Sequence, residues 1–312
     1  MNAKTPIDDL FEPRQTFPDF AAQARLGRLV GLDDHKSRLT KMLGLLVNRS
    51  RLEAWRREHH PHAGALVDAV ARRPPLVVLA GDVGSGKTEL AETIGDAVAR
   101  QENIEITLFP LSLATRGQGR VGEMTQLLAA AFDHVALEAR KLKGSNGHAR
   151  GAVLLLVDEA DALAQSREAT QMHHEDRAGV NALIRGVNRL TNEELPAAVI
   201  MCTNRLSALD PAVRRRAADV LVFERPNDFQ RRAALTTLLQ GLNWTPGQVE
   251  ALVAATGVQP GRDYGFTFSD LVQRLAPAIV LDVFPHRPVD PVKALNLARS
   301  LPPTPPFREP KS

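Results

Sequence analysis

The sequence is poor in cysteine, and this deficit excludes whole classes of protein. Cys202 is the single cysteine among 312 residues, so neither a disulfide framework nor a cysteine metal site can form. Because Cys202 lies in an apolar run, we expect an inert thiol in the core. A reducing compartment suits such a chain, and we expect it to be cytoplasmic.

Aromatic residues and long apolar runs are also scarce. Aromatic residues make up 4% of the chain, whereas proteins that stack single-stranded bases present several. We expect Phe132, Phe223 and Phe229 to lie in the core. The net charge is only +3, so nucleic acid is not expected as a direct substrate. The longest strongly apolar run, 153–157, is too short to span a bilayer, and residues 1–10 do not resemble a signal peptide, so no membrane partner is expected.

Apolar runs and helical patterns alternate through the middle of the chain. This alternation predicts an α/β fold with a parallel five-stranded sheet flanked by helices. The predicted strands are 76–80, 104–109, 152–157, 198–203 and 220–224. Helices are predicted at 33–48, 51–58, 87–101, 122–143, 176–190 and 210–217. After Pro226 the pattern is helical throughout, at 227–240, 246–256, 268–281 and 288–299.

These patterns divide the chain into four parts. Residues 1–27 carry prolines among charges and are expected to form an arm with little structure of its own. Residues 28–225 form the large α/β domain and residues 226–300 a small helical domain. The proline-rich tail, 301–312, is expected to be disordered.

The run from Gly81 to Thr88 carries the strongest motif, because it fits the phosphate-loop pattern G-x-x-x-x-G-K-[ST]. It follows a predicted strand and opens a predicted helix, where backbone N–H groups can cradle phosphate oxygens. Lys87 would reach the β- and γ-phosphates of ATP, and the Thr88 hydroxyl would ligate Mg²⁺. The predicted nucleotide-binding residues of this run are Asp82, Val83, Gly84, Ser85, Gly86, Lys87, Thr88 and Glu89. The alternative is a glycine turn that binds nothing.

Two further strands end in polar residues. The run 153–157 is followed by Asp158 and Glu159, and the strand 198–203 by Asn204. Asp158 at a strand end can hold the Mg²⁺ shell, and Glu159 can polarise the attacking water as a general base. Asn204 could share that water or the γ-phosphate, since parallel strands bring their carboxyl ends to one edge. The alternatives are a carboxylate helix cap and an asparagine that starts a turn.

A short predicted helix ends in three arginines, 214–216, after Asp210 and Pro211. They form either a solvated basic helix end, which the helix dipole favours, or an arginine finger that reaches a neighbouring subunit's γ-phosphate. The residues alone leave both open.

Together these motifs resemble the AAA+ ATPases over residues 28–282. In that resemblance Val30 and Gly31 belong to the opening segment whose backbone contacts adenine, Asn204 is sensor 1, and the small helical domain is the lid. Arg215 aligns with the family's arginine finger when the spacing is counted from Leu209. Arg216 aligns with it when the residues that follow the arginines, 217–219, are matched instead. Asp270 stands where other AAA+ branches place a sensor 2 arginine.

The resemblance also implies a substrate-gripping pore loop at Arg120 and Val121. Most relatives carry an aromatic residue there, and its absence suits limited remodelling of a specific partner. An ordinary glycine-rich turn is the alternative. The histidine pair within 165–176 falls at a second pore loop and lacks further metal ligands, so a flexible loop is expected rather than a zinc site.

Within AAA+, the chain is most similar to the pachytene-checkpoint type, which remodels HORMA-domain proteins. It resembles the short bacterial members found beside cGAS-like nucleotidyltransferases (CD-NTases) in anti-phage CBASS operons. The resemblance implies a homohexameric ATPase that opens a HORMA protein and restrains the nucleotidyltransferase. One alternative is a DNA-associated AAA+ switch, such as a helicase loader or transposition ATPase, which the basic segments 49–57 and 214–232 permit. Another is a non-catalytic scaffold, against which the intact Glu159 argues.

Overall fold

The structure is a computed structural model that describes residues 10–112, 123–144, 148–160, 173–207 and 209–306. The chain forms two compact units, each assembled from separate segments. The first unit contains Met1–Gly27, Asp34–Ala80 and Thr88–Val222, and the second contains Arg28–Asp33, Gly81–Lys87 and Phe223–Ser312. No helix in the described part of the chain is both long and apolar enough to cross a membrane.

The sheet follows from the buried apolar runs of the sequence. Within the described residues it has six strands: β1 (Gln15–Phe17), β2 (Leu76–Gly81), β3 (Glu105–Ser112), β4 (Gly151–Asp158), β5 (Ala197–Thr203) and β6 (Asp219–Phe223). Their order is β1-β3-β4-β5-β2-β6. The pairs β3–β4, β4–β5 and β5–β2 are parallel. The predicted parallel α/β sheet is confirmed, but five strands was wrong, because β1 adds an antiparallel edge on β3.

Helices fill most of the segments between the strands. Up to residue 214 they are α1 (Phe20–Arg28), α2 (Asp33–Val47), α3 (Arg49–His59), α4 (Gly64–Ala71), α5 (Lys87–Glu102), α6 (Glu123–Leu142), α7 (His173–Asn192) and α8 (Pro211–Arg214). Phe132 and Leu183, from α6 and α7, pack with the strands in one buried apolar cluster, and Cys202 is buried as expected. This packing explains why the strands read as unbroken apolar runs.

The N-terminal strap, residues 10–28, is not the unstructured arm expected from its prolines. Leu10, Phe11 and Phe17 are all buried. The Phe17 ring lies where a Cβ on Gly95 of α5 would be, 2.4 Å from its ring atoms, so the close packing needs a glycine there. Burial of these apolar side chains orders the strap, together with the pairing of three residues of β1 with three residues of β3.

The second unit is built on helices after residue 226: α9 (Asp228–Leu238), α10 (Pro246–Thr256), a π-helix (Asp270–Leu275), α11 (Ala276–Leu281) and α12 (Pro291–Ser300). Both α9 and α10 begin with reciprocal capping boxes, Asn227 with Gln230 and Thr245 with Gln248. Their apolar faces meet the π-helix and α12 in a core of their own.

Two expectations for this unit were wrong. Phe229 is 72% exposed, because it lies in the first turn of α9 on the side away from that core. Residues 301–306 are not a disordered tail, since Thr304 is hydrogen-bonded to the buried Asp270 through both its N–H and its hydroxyl.

Candidate functional site

The phosphate loop has the backbone shape that its glycines predict. Gly81, Gly84 and Gly86 have φ values of 152°, 74° and 95°, a region that side-chain-bearing residues rarely adopt. A Cβ on Gly81 would lie 2.0 Å from the carbonyl oxygen of Phe223, which leaves no room for one. The loop connects the end of β2 to the start of α5, so its N–H groups and the α5 dipole can serve an anion.

Lys87 is held within the loop rather than extended into solvent. Its side chain is only 6% exposed. Its ammonium group donates to the carbonyl oxygens of Gly81 and Asp82, each at 2.8 Å, and lies 3.4 Å from the Ser85 hydroxyl. A cation fixed at this position favours an anionic ligand of the loop.

Asp82 of the loop is held by an arginine of the same unit. The Arg225 guanidinium donates to Asp82 Oδ2 at 2.7 Å and to the Gly265 carbonyl at 2.8 Å. The Arg225 side chain also lies over the Tyr264 ring. Ser85 is buried, whereas Val83 remains exposed. The Arg225 link neutralises the loop's own carboxylate, which would otherwise repel a phosphate.

The segment with Val30 and Gly31 contacts the start of α9. Gly31 has φ of 78°, and its carbonyl accepts a 2.8 Å hydrogen bond from Gln230 Nε2. A Cβ on Gly31 would lie 2.9 Å from Gln230 Cγ. Glycine is therefore required here by both conformation and space, which fixes the path of this backbone.

In the first unit, Glu89 forms an ion pair in the first turn of α5, directly after Thr88. Arg25 of the strap donates to both Glu89 oxygens, at 2.8 and 2.9 Å, and also contacts Glu92. These hydrogen bonds and charges raise the pKa of Arg25 above its ordinary value. The ion pair fixes the Glu89 carboxylate against the strap, and its negative charge in the first turn also suits the helix dipole.

The carboxyl ends of the parallel strands meet at one edge of the sheet. The register pairs Ala80 with Thr203 and Val157 with Met201. Asp158 ends β4 and its Oδ1 accepts from the Glu159 N–H at 2.8 Å. Glu159 is exposed, and its φ of 54° is uncommon for a residue with a side chain. Asn204 follows β5 and is half-buried. The structure thus brings Asp158, Glu159 and Asn204 to the same edge.

The arginines follow α8, a single helical turn. Asp210 caps it by accepting from Ala212 N at 2.7 Å, and Pro211 opens it. Arg215 is exposed, whereas Arg216 is half-buried and donates to the Ala212 carbonyl at 3.3 Å. Among the described residues neither side chain forms an ion pair.

Comparison with known proteins identifies the family. Residues 77–225 match the ATPase family associated with various cellular activities (AAA). CD-NTase-associated protein 6 of Escherichia coli (strain MS 115-1) is 64% identical over 307 residues, which are 98% of this chain and 99% of that protein. The chain belongs to the AAA family of ATPases. The resemblance to AAA+ and to the CD-NTase-associated members is thereby confirmed.

Two solved structures are similar to this chain over nearly its whole length. A chain of the E. coli MS115-1 HORMA:CdnC:Trip13 complex has a TM-score of 0.90 and 62% identity, covering 98% of this chain and 100% of that one. Rhizobiales Trip13 has a TM-score of 0.75 and 58% identity, covering 95% of this chain and 100% of that one.

Two sets of expected AAA+ features lie outside the described residues. The pore-loop residues Arg120 and Val121 are among them, as are residues 165–172 of the second expected loop. The flexible loop expected at the histidine pair was wrong, because residues 173 and 174 begin helix α7. Among the described residues, no cluster of three or more His, Cys, Asp or Glu side chains could hold a metal ion.

The residues present fit the ligands that an AAA ATPase requires. A loop with glycines in conformations open to phosphate and a buried ammonium group suits a triphosphate. The Thr88 hydroxyl and the Asp158 carboxylate are the hard oxygen donors that Mg²⁺ prefers.

Sequence reasoning missed several residues that shape this site in the AAA ATPase. They are Arg25, Arg225, Gln230 and Ser269. Arg225 and Ser269 contact the loop, Arg25 contacts Glu89 just after it, and Gln230 contacts Gly31. No local motif predicts these residues, because their contacts form only when distant segments of the chain pack together.

Proposed function

We propose that the chain is an ATP-driven protein remodeller that separates a HORMA-domain protein from a CD-NTase and so restrains anti-phage signalling. The complete set of strand-end and phosphate-loop groups supports the ATPase chemistry. The partners rest on one comparison, the 62% identity to a chain of the HORMA:CdnC:Trip13 complex. In this proposal residues 28–225 are the ATPase domain and residues 226–300 its lid.

Nucleotide binding is assigned to the phosphate loop. Residues 82–86 present backbone N–H groups to phosphate oxygens, and Lys87 supplies the positive charge. Val30 and Gly31 hold the backbone that contacts the adenine. When bound, Mg²⁺ neutralises phosphate charge, and Thr88 and Asp158 are the residues that would hold it.

Hydrolysis is assigned to the carboxylate of Glu159. As a general base it accepts a proton from the attacking water. Asn204 on the neighbouring strand orients that water. Glu159 has a φ of 54°, and such strained positions persist where function requires them.

The chain is proposed to act as a cytoplasmic homohexamer in which Arg215 or Arg216 completes a neighbouring subunit's site. Hydrolysis would move Arg120 and Val121 of each subunit, and these residues would grip one end of the HORMA protein. Opening that protein would free the nucleotidyltransferase and stop second-messenger synthesis.

The first prediction concerns Glu159→Gln, which keeps the size of the side chain but removes the base. We expect ATP binding to persist while turnover falls about 10²–10⁴-fold. The measurements are calorimetric ATP binding and phosphate release.

The matched control is Glu105→Gln, an exposed glutamate at the opposite end of the sheet, at the start of β3. It should hydrolyse ATP at the wild-type rate. Near-normal turnover by Glu159→Gln would remove Glu159 from this role.

The structure weighs against the DNA-associated alternative. In the segment 49–57, Arg49, Arg51 and Arg56 form ion pairs with Glu194, Glu102 and Glu53. In the segment 214–232, Arg225, Arg231 and Arg232 pair with Asp82, Asp228 and Glu250. These pairs lower the net positive charge that the two segments offer to a phosphate backbone, and among the described residues they leave out Arg215 and Arg216.

A further inference from the structure

Asp270 is a carboxylate with unusual surroundings for a charged group. It is fully buried, at 0% exposure. Oδ2 accepts from the N–H groups of Thr267 and Thr304, each at 3.0 Å. Oδ1 accepts from the Thr304 hydroxyl at 2.7 Å and from Arg274 Nη1 at 2.8 Å. Burial alone would raise the pKa of Asp270, but these donors hold it below its ordinary value.

This environment gives Asp270 a structural task at a position where an arginine would touch phosphate. A buried carboxylate with both oxygens occupied by donors cannot turn toward a ligand. Removing one donor would leave an oxygen partly unsatisfied in the interior, which is costly. The group therefore fixes the backbone around it, and Thr304 donates two of the four hydrogen bonds to its carboxylate.

The backbone fixed by Asp270 contacts the phosphate loop directly. The Ser269 N–H donates to the Gly84 carbonyl at 3.1 Å. A Cβ on Gly84 would lie 2.7 Å from Thr267 Oγ1 and 2.8 Å from Ser269 Cβ. Gly84 therefore packs against Thr267, which is hydrogen-bonded to Asp270, and against Ser269, which precedes it. All four residues belong to the second unit.

Irregular helix geometry begins at the same residue. Asp270–Leu275 forms a π-helix, a rare form that frequently marks functional sites. Asp270 N donates to Thr267 Oγ1 at 3.0 Å, which closes a reciprocal pair between the two residues. The turn that presents Ser269 to the loop is thus set by several contacts.

We propose that the C-terminal segment 301–306 is a positioning element of the phosphate loop, acting from Thr304 through Asp270 and Ser269 to Gly84. Thr304 is the positioning residue and touches no nucleotide itself. The inference rests on the proposed binding of ATP by the loop. It makes the segment and the nucleotide reciprocally coupled, so ADP binding tightens the segment and anything that releases the segment weakens ADP binding.

Thr304→Val tests this coupling, because it removes the hydroxyl donor to Asp270 and keeps the shape and the backbone N–H. We expect its dissociation constant for ADP, measured by calorimetry, to rise about five-fold or more. Thr304→Ser keeps the hydroxyl and should bind ADP as the wild type does. A folded Thr304→Val protein with the wild-type dissociation constant would overturn the inference.

A truncation pair gives a second measurement. Removal of residues 301–312 should weaken ADP binding at least as much as Thr304→Val, whereas removal of 307–312 alone should leave it unchanged. Equal affinities of the two truncated proteins would contradict the proposal.

Hydrogen exchange on the wild type separates coupling from simple loss of structure. Adding ADP should slow exchange of the Thr304 amide, and an unchanged rate at saturating ADP would overturn the inference alone. A wild type that binds no ADP would overturn both this inference and the proposed function.

Discussion

Glu159 and Glu194 both have φ values near 50°, at 54° and 51°, yet their settings differ. Glu194 lies just beyond the end of α7, where a left-handed residue commonly terminates a helix. Glu159 follows a buried parallel strand, so its conformation is not explained by the end of a helix. The strain there, of order 1–3 kcal/mol, is consistent with the catalytic part proposed for Glu159 alone.

The arginines after α8 can be ranked by their contacts. Arg216 is already hydrogen-bonded to the Ala212 carbonyl, whereas Arg215 is exposed. We expect Arg215→Ala to lower ATP hydrolysis at least about 10³-fold with ADP binding intact. Arg216→Ala should lose less. The measurement is phosphate release by each purified variant.

Arg214→Ala is the matched control, since Arg214 is exposed at the same helix end. If the finger acts in a neighbouring subunit, mixing Arg215→Ala with Lys87→Ala should restore part of the activity. Full activity of Arg215→Ala with loss in Arg216→Ala would reverse the ranking.

At the scale of elements, the N-terminal strap lies along α5, the helix that follows the phosphate loop. Asp19 N donates to Asp96 Oδ1 at 2.8 Å, Arg25 holds Glu89, and Phe17 packs on Gly95. These contacts lie between Glu89 and Asp96, in the first two thirds of α5. The strap therefore stabilises the helix on which the loop ends.

Two phenylalanines of the strap provide a matched pair. Phe17 is 1% exposed and Phe20 is 82% exposed. We expect Phe17→Ala to lower the free energy of unfolding by about 3–5 kcal/mol. Phe20→Ala should cost less than about 1 kcal/mol, since the side chain is mostly exposed and the change removes a contact with Arg100. Urea unfolding measures both, and equal losses would show that the strap is not part of the core.

Sequence patterns predict best the elements that contain a long apolar run or a long periodic pattern of their own. The predicted bounds of the central strands lie within a few residues of the observed ones, because strands buried on both faces are continuous apolar runs. Strand β1 has only three residues, between Pro13 and Pro18, and forms because β3 offers an edge. Helix α4 was missed since it begins at Gly64 and has only eight residues.

For the site, the motif-bearing residues could be predicted and their supports could not. Lys87, Asp158 and Glu159 stand at fixed places relative to strands, which a sequence reveals. Arg25 meets Glu89 across 64 residues of chain, and Arg225 meets Asp82 across 143. Such pairings depend on the packing of remote segments and leave no local pattern.

At the scale of the whole molecule, the second unit is assembled from three segments that are distant in sequence. The phosphate-loop residues Gly81–Lys87 belong to it together with Arg28–Asp33 and the C-terminal residues from Phe223. The loop is therefore held on several sides by one compact unit, through Arg225, Ser269 and Leu32. Substitutions within the second unit are therefore expected to change the affinity of the loop for nucleotide.

Reconstitution with purified proteins tests whether ATP hydrolysis separates a HORMA-domain protein from its nucleotidyltransferase. The purified chain is added with ATP and Mg²⁺ to a preformed complex of the two proteins from the same host, and size-exclusion chromatography follows the complex. We predict dissociation with the wild type and none with Glu159→Gln. A complex that stays intact while the wild-type chain hydrolyses ATP would contradict the claim.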